Sequence, residues 1–223
     1  MRVFLCKNVN ALMNQSRIRK METKNLLPLI AAASALNEIK LLKELIFEAK
    51  SRRIPFFKIY ETLLQNYLFA GYPVALLSLK TLREFYPAKR LPNAADMNLY
   101  HFRKRGAANC KKVYGKKNDK LINNVKDFSP DLAEWLVFEG YGKVLGRKVL
   151  SFKERELCIV GVLTVLKFED QLYSHINGAL RAKASIQEIR TVIENLSILG
   201  KKSFSNFGMR VLIRFEREKG MHL

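Results

Sequence analysis

Ser151-Phe152-Lys153-Glu154-Arg155-Glu156-Leu157-Cys158-Ile159-Val160-Gly161-Val162-Leu163 is the stretch that decides the fold of this 223-residue chain. A serine followed three residues later by glutamate, ahead of an apolar run, is a capping box, in which each side chain satisfies an orphan amide of the other and starts a helix. The spacing predicts a helix over about 152–167. Ser185-Ile186-Gln187-Glu188 repeats the signature and opens a second helix over 186–199, with another over 169–183 between them. Ser129-Pro130 supplies an N-cap and a proline at the first helical position, opening a helix through Phe138. Ser203 can cap a last helix to Glu218. No alternating strand pattern competes, and the expected fold class is all-α.

Two polar residues break the apolar run of these helices. Glu156 shares a helix face with Ile159, Val160 and Leu163, and His175 lies on the stripe of Leu172 and Ala179. A carboxylate and an imidazole on inward faces of consecutive helices can meet. Burying either one unpaired costs roughly 1–3 kcal/mol, so the pair is the leading site candidate. The alternatives are a core histidine bonded to a backbone carbonyl, and a glutamate paired with Arg155, Lys153 or a neighbouring subunit's arginine.

At this point the chain resembles a known family. Phe128-Ser129-Pro130-Asp131-Leu132, Gly140-Tyr141-Gly142-Lys143-Val144-Leu145-Gly146-Arg147, Leu150 through Leu157, Gln171 through Leu180 and Ser185 through Ile189 look like the carboxymuconolactone decarboxylase family. The resemblance implies an all-helical domain that oligomerises into rings, as a trimer or a hexamer-like assembly. It also implies either cofactor-free decarboxylation of ring-cleavage lactones or the thiol peroxidase chemistry of alkylhydroperoxidase D. The thiol branch carries glutamate, eleven residues, then Cys-x-x-Cys-x-x-x-His. Here Glu156 and His175 match, but Phe168 and Gln171 stand at the cysteine positions. Without a thiolate there is no nucleophile for peroxide and no partner to resolve it, so antioxidant activity is disfavoured.

Outside this region the chain is basic. Its formal charge is +20, from 40 Lys and Arg against 20 Asp and Glu. Residues 1–23 read as a loose basic arm, with Met21 a second candidate start. Residues 24–87 read as a first, partial helical repeat, residues 88–127 as a basic linker broken by Pro92, Gly106 and Gly115, and residues 128–218 as the family-like domain, before a tail of 219–223. The two units look related. Thr62-Leu63-Leu64-Gln65-Asn66 aligns with Thr191-Val192-Ile193-Glu194-Asn195, and Gly71 with Gly200. The first copy continues as Gly71-Tyr72-Pro73, the second as Gly200-Lys201-Lys202, and the first has no counterpart of the Glu156/His175 pair. Trp135 and Phe138 are expected in the core.

With 48% hydrophobic residues the chain can fill a core, and no run reaches the roughly 18 apolar residues of a membrane span. Cys6, Cys110 and Cys158 are scattered singly, with neither disulfide nor metal spacing. The expectation is a cytoplasmic protein without membrane attachment, metal or cofactor. The leading functional expectation is a lyase acting on a small carboxylated lactone or oxo-acid. His175 delivers the proton and Glu156 orients it; Arg155 or Arg147 anchors the substrate carboxylate, and Gln171 joins the substrate-binding set. The competing expectation is a catalytically silent assembly protein. In it residues 88–127 bind nucleic acid or another polyanion, with Tyr100, His101, Phe102 and Tyr114 interleaving aromatics among the cations.

Overall fold

The computed structural model describes residues 15–91 and 98–221. Most of the basic arm, Cys6, part of the linker and the end of the tail lie outside these residues. Among the described residues there are eleven α-helices and no strand. They are α1 (Leu26–Ala35), α2 (Ile39–Ser51), α3 (Phe56–Leu64), α4 (Tyr67–Phe85), α5 (Leu99–Tyr114), α6 (Asn118–Phe128), α7 (Pro130–Trp135), α8 (Phe152–Leu166), α9 (Glu169–Arg181), α10 (Ile186–Asn195) and α11 (Lys202–Glu218). None is long and apolar enough to cross a membrane.

Two helices buried on nearly every side form the centre. Every residue of α1 is buried, and so is α8 from Arg155 to Val165. They cross where Gly161 lets the α1 backbone at Pro28 approach: a methyl at Gly161 would stand 2.9 Å from the Pro28 carbonyl oxygen. Both predicted capping boxes at 151/154 and 185/188 are formed, and Ser129 caps Leu132.

The units before and after residues 99–144 run in the same helix order. Left-handed caps fall at Asn37 and Arg53 in the first and at Lys167 and Lys183 in the second, each pair 130 residues apart. Glycines with φ of 83° and 85° follow at Gly71 and Gly200. Gly71 breaks α4 ahead of Pro73, whereas Gly200 ends a short 3-10 turn before α11.

Residues 99–128 differ from the linker reading. They form the helical pair α5 and α6, and α5 buries Phe102, Gly106, Cys110 and Val113. The cations had masked a one-sided apolar stripe. Gly106 is no chain break either: α5 crosses a π-helical segment, Leu136–Val144, so tightly that a methyl on Gly106 would strike the Val137 carbonyl, and one on Gly142 the Phe102 carbonyl. Arg105 and Asn109 donate to the Gly142 and Tyr141 carbonyls at 2.6 and 3.0 Å. The helix expected through Phe138 therefore continues to Val144 in π form, a geometry often found beside functional sites.

Candidate functional site

His175 projects from α9 toward α8, and its Nδ1 lies 2.8 Å from Glu156 Oε2. Both side chains are buried, with 8% and 1% of their surface exposed. With Glu156 Oε2 as the acceptor, Nδ1–H is the donor of this bond, which leaves Nε2 as the nitrogen without a partner among the described residues. Gly178, one turn beyond His175, makes room for this contact: a methyl there would sit 2.6 Å from Glu156 Oε2. Gly178 is a site residue the sequence reading passed over, although a glycine three residues after an inward histidine marks a close helix approach.

His175 lines a cavity of about 410 Å³, within the usual size range for small-molecule sites. Its walls are Leu163, Leu136, Leu145, Leu132 and Trp135, with Leu68 and Phe69 contributed by the first unit. The Phe69 ring meets the imidazole edge to face, with centroids 6.1 Å apart. Trp135, expected in the core, is 50% exposed, and with Phe128 it forms part of the wall. It belongs to a short helix of which only Ala133 is buried.

The polar groups of the wall are few. Gln171 lines it beside His175. Glu139 accepts a hydrogen bond from the Tyr67 hydroxyl at 3.0 Å and faces Lys143 at 3.5 Å. The Tyr114 and Tyr141 hydroxyls are 2.7 Å apart. Burial pushes both phenols well above their ordinary range, so both hold their protons at neutral pH. Two protons then share one mutual bond. With Tyr141 only 2% exposed, its proton is best placed on Tyr114, which frees the Tyr114 proton for the cavity. Among the described residues no three His, Cys, Asp or Glu side chains gather as metal ligands.

The two arginines lie elsewhere. Arg155 and Arg147 are not on the cavity wall; both converge on Glu61 of the first unit, at 2.9 and 2.7 Å. Arg155 also donates to Gln65 Oε1 at 3.1 Å and to the Arg147 carbonyl at 2.8 Å. A fully buried guanidinium must find such partners, and here they join the two units. Of the aromatics read as stacking partners for nucleic acid, Tyr100 and His101 are exposed, but Phe102 is buried and Tyr114 is turned to Tyr141. Burial also pushes the Cys110 and Cys158 thiols up to about 12, which leaves both as poor nucleophiles.

Residues 130–203 match the model of the carboxymuconolactone decarboxylase family. Among curated proteins, the chain is 29% identical to "Peroxisomal protein 2" of Schizosaccharomyces pombe over 136 residues, 59% of this chain and 63% of that protein. It is 24% identical to the 4-carboxymuconolactone decarboxylase of Acinetobacter baylyi over 119 residues, 53% of this chain and 89% of that enzyme. The chain thus spans less than two thirds of the length of the fission yeast relative.

Proposed function

With residues 130–203 a domain of the carboxymuconolactone decarboxylase family, we propose that the cavity lined by His175 is a proton-transfer site of a cofactor-independent lyase. Its substrate is a small lactone or oxo-acid with an apolar body. The observation that carries this reading is the 2.8 Å bond between His175 Nδ1 and Glu156 Oε2 at the wall of a largely apolar cavity. An imidazole whose far nitrogen is fixed by a carboxylate is held in one orientation, with Nε2 turned to the reacting group.

Loss of carbon dioxide from a β-oxo-acid leaves an electron pair on carbon, delocalised as an enolate. Tyr114 supplies the donor for the enolate oxygen, and protonated His175 Nε2 returns a proton to carbon. Because no arginine among the described residues lines the wall, this reading gives the substrate carboxylate no clamping cation. It faces apolar side chains, an environment that favours the neutral product over the anion. Gln171 is the neutral polar group available to orient it.

The test is carbon dioxide release and loss of ultraviolet absorbance over a panel of lactone carboxylates and β-oxo-acids. His175→Asn is expected to lower turnover by about 10²–10⁴-fold, the usual worth of a general acid, while thermal unfolding stays cooperative. Turnover unchanged in that variant would remove the histidine from the chemistry.

A second reading draws on the outer faces of α5 and α6 and the short turn Gly115–Lys117 between them. Lys104, Lys111, Lys112, Lys116, Lys117 and Lys120 are exposed there and make no ion pair among the described residues. Such a face suits a polyanion, in an assembly protein whose cavity is silent. Binding of this kind weakens steeply with salt as counterions are released, so retention on heparin or duplex DNA that is insensitive to salt would count against it. Fractionation of cells making the tagged protein decides between a cytoplasmic location and one shared with the fission yeast relative.

A further inference from the structure

The long helix of the first unit and its counterpart in the second present opposite outer faces. Counted from Gly71 and Gly200, α4 and α11 bury matching positions, Ala75 with Phe204 and Leu82 with Val211. At the outer positions the second unit carries Lys201, Lys202, Ser205 and Asn206, as a solvated helix does. The first unit carries Tyr72, Pro73, Leu76 and Leu77 there, all exposed. The framework does not require an apolar face at this place, since the second unit keeps a polar one.

Another apolar patch lies at the mouth of the His175 cavity, where Phe128, Leu132 and Trp135 line the wall and yet stand open to solvent. The two patches are linked. Tyr72 packs on Tyr67 with ring centroids 5.1 Å apart, and the Tyr67 hydroxyl binds Glu139 of the cavity wall. Tyr72, Leu76, Leu77, Phe128, Leu132 and Trp135 are 46–72% exposed. At roughly 100 Å² for each half-exposed large side chain, together they present about 600 Å². That is the size of the largest patches on soluble monomers, and most of the roughly 800 Å² per partner of a standard interface.

Charge indicates what covers them. Lys80, one turn beyond Leu76 and Leu77, is exposed and makes no ion pair or hydrogen bond among the described residues. Asp127 and Asp131, beside Phe128 and Leu132, are exposed and make none either. Glu134 is already matched by Arg103, and the helical period puts Lys126 on the far side of α6 from Phe128. The two aspartates would be repelled by an anionic lipid surface. An apolar helix bearing a lysine is instead complementary to an apolar ridge bearing two aspartates, and this chain carries both.

We infer that the α4 face of one chain docks on the ridge of Phe128, Leu132 and Trp135 of a second copy, with Lys80 set against Asp127 and Asp131. Each chain carries both faces, so the contact repeats until it closes as a reciprocal pair or a ring. The docked helix also covers the open mouth of the His175 cavity. Assembly is measured without substrate, so this contact stands or falls independently of the lyase reading.

Light scattering after size exclusion of the full chain at micromolar concentration is the test. The natural chain should elute as an assembly of two or more copies. Leu76→Arg and Leu132→Arg, both at exposed positions, should each elute as single chains that keep their helical circular dichroism. Asn206→Arg, at the place in the second unit that matches Leu77, should leave the assembly intact, and Lys80→Glu should weaken it about tenfold. Mixed together, the two single-chain variants present one intact face each and should pair. The inference is overturned by indifference to Leu76→Arg, Leu132→Arg or Lys80→Glu, by a mixture that fails to pair, or by a natural chain that is monomeric. A monomer that sediments with anionic phospholipid vesicles would give these faces to a lipid surface instead.

Discussion

The first and second units answer the same structural demand with opposite chemistry. At the 130-residue offset of their left-handed caps, Glu156 corresponds to Leu26 and His175 to Leu45. All four positions are buried; the two leucines have no exposed surface at all. The first unit shows that this packing needs nothing polar there. The second keeps a carboxylate and an imidazole in the same places, where two apolar side chains would serve stability as well or better. A costly pair retained at the wall of a cavity is the pattern of a site rather than of a scaffold. The first unit contributes differently, supplying Leu68 and Phe69 to the cavity and Tyr67 to Glu139.

The join between the units should be the easiest feature to break. Glu61→Leu leaves Arg155 buried without its carboxylate, and a loss of about 3–5 kcal/mol is expected in urea unfolding. Little change would mean that the Gln65 and Arg147 carbonyl bonds suffice. Next comes the reverse of the natural contrast. Leu45→His puts an imidazole in the first unit without a partner and should cost about 1–3 kcal/mol, whereas a neutral result would show that buried histidine is tolerated anywhere in this framework. Gly178→Ala sharpens the comparison within the second unit. A methyl 2.6 Å from Glu156 Oε2 must push the carboxylate aside, so turnover should fall well before stability does. The smallest effect concerns thiols: alkylation of the native protein at pH 8 should leave Cys110 and Cys158 unmodified by mass spectrometry, because burial holds both thiols near 12. Rapid labelling of either would reopen thiol chemistry.

The second unit was legible in the sequence because its signals are local. Capping boxes, a serine-proline start and a 3.6-residue apolar period each lie within one helix, and the Glu156–His175 contact follows from two adjacent helices. What escaped the sequence depends on partners far apart in the chain. Arg155 reads like a substrate anchor until Glu61, 94 residues away, is seen beside it. The 99–128 segment reads as a linker because lysines and arginines are scattered through it, yet Phe102, Cys110 and Val113 fall on one face. The π-helical turn and the glycine crossing at Gly106 and Gly142 are set by backbone contact between elements. Neither leaves a periodic trace.

The central claim is that His175 and Glu156 are kept for function at no gain in stability. The variant Glu156→Leu with His175→Leu gives the second unit the residues of the first, and its unfolding in urea should be measured together with turnover on the best substrate of the panel. The account predicts stability equal to or above that of the natural protein, since replacing a buried ionic pair with apolar side chains is often neutral or stabilising by about 1–4 kcal/mol, with turnover lost. A variant that unfolds more easily, or that keeps its turnover, would show the pair to be a structural bond and contradict the account.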